Sequence, residues 1–299
     1  MIQRTSARTL PALALTFNAF TWGVSWWPFR WLQERGLHPL WATVLIYALA
    51  VAVITLWRRE AWGQLLRRPA LWVLVLASGA TNASFNWGVT VGDVVRVVLL
   101  FYLMPLWAVL LARLLLHEPL TRMALLRVAM ALAGAVVVLW PAADLQGGLA
   151  LQLPLPQTLP EWLGVIGGFT FALNNVMLRR EADQPGATRA LAMFAGGCLV
   201  ALLLALSLSS QGQITPPPLP QWDWVLGALA LGAAFLAGNL ALQYGASRLP
   251  ANVTAVVMIT EVLFASVSAV LLGAGTLTPS LAIGGAFIVA ASLLAARRG

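Results

Sequence analysis

Apolar stretches of about 20 residues, each long enough to cross a bilayer as a helix, recur along the whole chain. Ten can be marked, at roughly 10–30, 39–57, 70–90, 94–116, 122–140, 161–180, 188–208, 222–244, 251–272 and 279–296. Lipid offers the backbone no hydrogen-bond partners, so segments of this kind must be helices or the strands of a closed barrel. The period-two alternation of a membrane barrel is absent. Composition agrees, with 60% hydrophobic residues and 9% charged, where a soluble domain has about a quarter charged. The sequence therefore predicts an all-α membrane protein of ten transmembrane helices. Arginines precede the first apolar run as in a signal peptide, but the run continues through "FTWGVSWWPF" with no small-residue cleavage site, which predicts a retained span.

The net charge of +8 comes from 18 arginines and no lysine. They concentrate in alternate connections: Arg4 and Arg8, then Arg58, Arg59, Arg67 and Arg68, then Arg122, then Arg179, Arg180 and Arg189, then Arg248, and finally Arg297 and Arg298. The stretches 141–160 and 209–221 hold none. This bias places both termini in the cytoplasm, as an even number of spans requires, and makes the basic excess topological. Nucleic acid is not an expected partner. The lone cysteine, Cys198, lies inside a span and reads as a packing residue.

The chain also repeats itself. Residues 78–121 align without gaps on 235–278 at a shift of 157, with "NASFNWG" (82–88) over "NLALQYG" (239–245). Near the start of each half, "FTWGVSWWPFR" (20–30) lies over "FTFALNNVMLR" (169–179) at a shift of 149. Each half carries five spans. Five is odd, so the second half must enter the membrane from the opposite side. The expected architecture is two inverted five-helix repeats, residues 1–145 and 161–299, joined by an external linker at 146–160; such repeats usually build a transporter with its site at their interface.

The candidate site residues follow from that symmetry. Asn82 and Asn86, one helical turn apart, match Asn239 and Gln243 in the second half. Buried amides at these places either tie helices together or face a central cavity, and the repetition fits both readings. Trp22 matches Phe171, with Asn174 beside it; Tyr102 and Met104 lie next to Pro105, whose missing N–H predicts a kink and a hinge at mid-span. Rings and a thioether mixed with amides suit a small amphipathic substrate. Glu261 stands near the middle of the ninth run. A carboxylate there must be protonated, paired or facing water, and it is placed to hold a substrate ammonium, to carry a coupling proton or to bond a neighbouring helix. The stretch "GVIGG" (164–168) can pack helices within one chain or between two, and a monomer is compatible with it. No metal-ligand cluster, phosphate loop or enzyme signature is present, and no cofactor is expected.

Two segments carry a resemblance. "YLMPLWAVLLARLLLHEPLT" (102–121) is similar to the proline-containing fourth span and Glu-x-Leu-Ser/Thr loop of EamA-like members of the drug/metabolite transporter superfamily, and "TEVLFASVSAVLLGAGTLT" (260–278) resembles the matching segment of their second half. Val262 stands where that segment has proline, and Gly275 where it has the loop glutamate that Glu118 supplies in the first half. The second half thus lacks the proline that would bend it as Pro105 bends the first. Within the family the likeness is to exporters of aromatic amino acids: "FYLMP" (101–105) is similar to an aromatic-rich segment ending in Tyr-Leu-Trp-Pro, Phe171 and Met104 fall where those exporters have tryptophan, and the closing "RRG" matches. The resemblance implies a multi-pass protein of the bacterial inner membrane that exports aromatic amino acids and similar metabolites by alternating access. Its expected partners are a small-molecule substrate and the bilayer. Threonine- or homoserine-type amino acids, cationic drugs and a passive channel are the alternatives.

Overall fold

The computed structural model describes residues 2–91, 94–139, 156–273 and 279–298, so most of the expected linker, and Gly275, lie outside the described residues. Within them the chain is helical and no strand occurs. The first half gives α1 (Ile2–Val24), α2 (Trp26–Glu34), α3 (Pro39–Trp57), α4 (Glu60–Arg67), α5 (Pro69–Val91), α6 (Val94–Phe101), α7 (Met104–Leu115) and α8 (Arg122–Leu139). The second gives α9 (Leu159–Arg180), α10 (Gly186–Ser210), α11 (Trp222–Ala246), α12 (Ala251–Met258), α13 (Glu261–Leu271) and α14 (Pro279–Arg298). Among the described residues four stretches are long and apolar enough to cross a membrane by length and composition: α3, α10, α11, and α12 with α13 taken together. Helix α4 is a short amphipathic connector that buries Ala61 and Leu65.

Apolar side chains point outward as well as inward. Leu106, Leu110 and Leu114 on α7, and Leu199, Leu203 and Leu206 on α10, form exposed stripes at helical spacing. Water would penalise such stripes, whereas hydrocarbon does not.

The helices pack mainly across the two halves: α5 on α9, α1 on α11, α3 on α10, and α8 on α14. Small residues set how close they come. At the α5–α10 crossing a Cβ on Gly79 would lie 2.7 Å from the Gly196 carbonyl oxygen, and one on Gly196 would fall onto the Val75 carbonyl. The "GVIGG" stretch packs within the chain: a Cβ on Gly164 would lie 2.6 Å from Val97 O, and one on Gly168 would fall on the Phe101 backbone. With no side chain between them, α6 and α9 bring their backbones into contact, which is how helices associate when lipid supplies no hydrophobic drive.

Among the described residues, besides the interruption at Ser25 between α1 and α2, a matching pair of breaks divides helices in mid-course. One separates α6 from α7 at Tyr102–Leu103, and the other separates α12 from α13 at Ile259–Thr260. They are 157 residues apart, the shift of the sequence repeat. At each, tight turns replace the regular ladder: Leu103 N–H donates to Leu100 O (3.2 Å), and Thr260 N–H to Val257 O (3.1 Å). Pro105 sits in the first turn of α7, where a missing N–H costs nothing. The second half has no proline there and breaks all the same, contrary to the expectation from Val262. Its device is different: the Thr260 hydroxyl donates to Val257 O at 2.7 Å, occupying a carbonyl that a continuing helix would use.

Candidate functional site

Between the halves lies a narrow cavity with about 50 Å³ of room for the centres of water-sized spheres. One water needs about 10–15 Å³ by that measure, so it holds roughly three to five. Its walls come from both halves: Trp22 of α1, Tyr47 of α3, Ser78, Thr81, Asn82 and Phe85 of α5, and Phe101 of α6, facing Phe171 and Asn174 of α9, Met193 and Phe194 of α10, Asn239 and Leu242 of α11, and Glu261 of α13. The lining rings pack in groups. Phe101 lies 4.8 Å from Phe85 and 5.7 Å from Phe171, centroid to centroid, and Tyr47 meets Phe194 edge-on at 5.0 Å. Gly167 gives the Phe101 ring its place, since a Cβ there would come within 3.1 Å of it.

The polar groups divide into bonded and open ones. Asn82 Oδ1 accepts from the Tyr47 hydroxyl at 2.8 Å, and its Nδ2 donates to Ser78 O at 2.9 Å. Asn239 Nδ2 donates to the Met193 sulfur at 3.4 Å, and its Oδ1 meets the Gln243 amide at 2.7 Å. Asn174, only 1% exposed, has a partner for neither Oδ1 nor Nδ2. Glu261 opens α13 directly after the break, and no described residue bonds its carboxylate. Burying amides without partners costs about 1–3 kcal/mol each, so a group left open in a cavity wall invites water or a ligand.

Of the residues singled out in the sequence, Trp22, Asn82, Phe171, Asn174, Asn239 and Glu261 line this cavity together. Asn86 lies outside it and donates to Thr43 Oγ1 at 3.0 Å. Gln243 stands behind Asn239; Tyr102 packs edge-on against Phe101 at 5.8 Å; Met104 is buried in the core. Ser78, Thr81 and Phe85 escaped the sequence reading although they lie on the same face of α5 as Asn82, at offsets of −4, −1 and +3. Met193 and Phe194 carried no signal, since α10 is apolar around most of its circumference.

A family model described as the EamA-like transporter family matches residues 9–140 and again 158–297. The chain belongs to that family. It is a multi-pass membrane protein that transports small molecules, and it is not an enzyme. No curated protein matches it. Among solved structures, one described only as "Crystal structure of protein" is 22% identical, covers 95% of this chain and 96% of its own, and superposes with a TM-score of 0.73; at that identity the likeness is one of fold.

In this EamA-like chain one end of the bundle is tied by two polar contacts, one within the second half and one between the halves. Arg179 at the end of α9 donates to Ser247 O at 2.7 Å. Glu118, in the loop after α7, accepts from the Ala251 N–H that opens α12. Burial pushes the Glu118 carboxyl above its ordinary 4.5, while nearby Arg179 and the Ala251 N–H pull it back. The folded state therefore keeps this proton to higher pH than the unfolded chain does, so ionisation of Glu118 lowers stability as pH rises above about 4.5. Thermal melts in detergent between about pH 4 and 8 should show the native chain losing ground to Glu118→Gln across that window. Parallel curves would mean that Glu118 is not held out of water in the folded protein.

Proposed function

We propose that the chain exports small amphipathic metabolites bearing a ring and an amino group, aromatic amino acids among them, from the cytoplasm across the bacterial inner membrane. The observation that carries this reading is the central cavity, where a wall of aromatic rings faces amides and a single carboxylate drawn from both halves. The ring wall supplies apolar area for stacking, and the open polar groups orient the other end. The likeness of "FYLMP" (101–105) to the segment of the aromatic amino acid exporter YddG supports the same substrate class.

The ten runs form two inverted five-helix repeats, 1–145 and 161–299, with both termini cytoplasmic. The paired breaks one repeat-length apart and the cross-packing of α1 on α11 and α5 on α9 support that arrangement. Alternating access then moves one repeat against the other. A cavity holding a few waters is too small for an aromatic amino acid, so the substrate enters as helices move apart, with Pro105 and the adjoining break as the hinge of the first half. Trp22, Phe171, Tyr102 and Met104 serve as apolar contacts, Tyr102 and Met104 from behind the ring wall; Asn82, Asn86, Asn174, Asn239 and Gln243 form the amide network, and Glu261 the charged pole.

Uptake of labelled tryptophan, phenylalanine and threonine into proteoliposomes tests the proposal. Saturable tryptophan and phenylalanine flux with counterflow is expected, well above threonine. Threonine flux alone would assign another amino acid class, non-saturable flux would indicate a channel, and no flux would remove the transport reading of this cavity.

A further inference from the structure

The polar pole of the cavity is one-sided. Among the described lining residues Glu261 is the one carboxyl group, and no arginine, lysine or histidine lines the cavity with it. Nothing described bonds its carboxylate, and Asn174, on the same cavity, has both amide atoms unpartnered at 1% exposure. The other lining amides differ: Asn82 is occupied by Tyr47 and Ser78, and Asn239 by Met193 and Gln243. The open capacity is therefore a carboxylate and one carboxamide.

An ammonium group has three donors and no acceptor. Once the helices have moved apart, Glu261 can take one or two of them, and Asn174 Oδ1 another, while the ring of the same molecule lies against Phe101 and Phe171. A ligand carboxylate finds no such counterpart. It would bring like charge beside Glu261 with only neutral donors near it, such as Asn174 Nδ2 and the Trp22 indole N–H, in surroundings where charge is weakly screened.

We infer that the cavity recognises its ligands through a ring and an ammonium, so that ring-bearing primary amines bind more tightly than the zwitterionic amino acids with the same ring, and acids of that ring bind least. The inference rests on the cavity being the transport site and narrows the substrate class within that reading.

Three indole compounds that differ only in the head group provide the test: tryptamine, tryptophan and indole-3-propionate. Their binding to the purified full chain in detergent is measured by thermal stabilisation, apart from flux. Tryptamine should bind tightest, tryptophan about tenfold weaker, and indole-3-propionate weakest. Glu261→Gln should weaken tryptamine by about 10- to 100-fold, the range of a hydrogen bond to a charged group, and leave indole-3-propionate unchanged or tighter. Equal binding of the three, tryptophan binding tightest, or tryptamine indifferent to Glu261→Gln would each overturn the inference while leaving the cavity as the site. If none of the three binds, the cavity reading falls and the inference with it. Should Glu261→Gln fold poorly, the ranking on the native chain decides alone.

Discussion

Gly196→Leu is expected to abolish folded protein. At the crossing of α5 and α10 the two backbones touch, and a Cβ on Gly196 would land on the Val75 carbonyl. A flexible side chain could swing aside; a main-chain carbonyl held in a helix cannot. Residue 197 offers no relief in the other direction, because a Cβ there would meet the Tyr47 ring, which is itself held by Asn82. Overpacking that side chains absorb costs about 1–3 kcal/mol. Here α5 must move away from α10, which also breaks the Ser78 hydroxyl bond to Met193 O at 3.1 Å. Against a total stability of about 5–15 kcal/mol such a separation is not survivable. Size-exclusion profiles in mild detergent check it, with Gly63→Leu as the control, since nothing lies within 4 Å of a Cβ on Gly63. A normal monodisperse peak for Gly196→Leu would mean that the helices cross less closely than described.

The second large effect is a reversal between two asparagines. Asn174→Leu should lower transport at least about tenfold while leaving the melting temperature unchanged or higher, because it removes a buried amide whose atoms bond nothing in the fold. Asn82→Leu should do the opposite to stability. It strands the buried Tyr47 hydroxyl, and leaving such a group unsatisfied costs about 1–3 kcal/mol. The two sites sit in one cavity and receive the same substitution, so the difference between them isolates what each amide bonds. Melting curves and tryptophan flux on both variants give four numbers. If Asn174→Leu transports normally, its amide is not open to the substrate; if it melts markedly lower, it has a structural partner.

Much of this was legible in the sequence. Apolar runs and the absence of period-two alternation gave an all-helical membrane protein, and the motif around Pro105 pointed to the family that the comparison then identified. The alignment of Asn82 on Asn239 picked two amides that do face one cavity. Their neighbours were harder to sort, because spacing alone does not say how far a helix is rotated about its axis: Asn82 and Asn86 share a side of α5, yet Thr43 claims Asn86. The second helix break was missed for a chemical reason. Proline is the visible mark of an interrupted helix, whereas a threonine hydroxyl turned back on a carbonyl, as at Thr260, looks like any other threonine in a string of letters. Met193 and Phe194 were invisible because an apolar residue in an apolar helix says nothing about whether it faces lipid, a neighbour or a void.

The paired interruptions at Tyr102–Leu103 and Ile259–Thr260 bear on how such a protein would move. Bending an intact helix in lipid ruptures backbone bonds that no solvent replaces. Here those bonds are already absent or rerouted before any motion begins, so flexing at these points resembles folding card along a scored line. Each score lies beside the cavity, with Phe101 just before the first and Glu261 just after the second. A ligand that presses on that ring and that carboxylate pushes on the two panels next to their creases, where a small displacement gives a large angle.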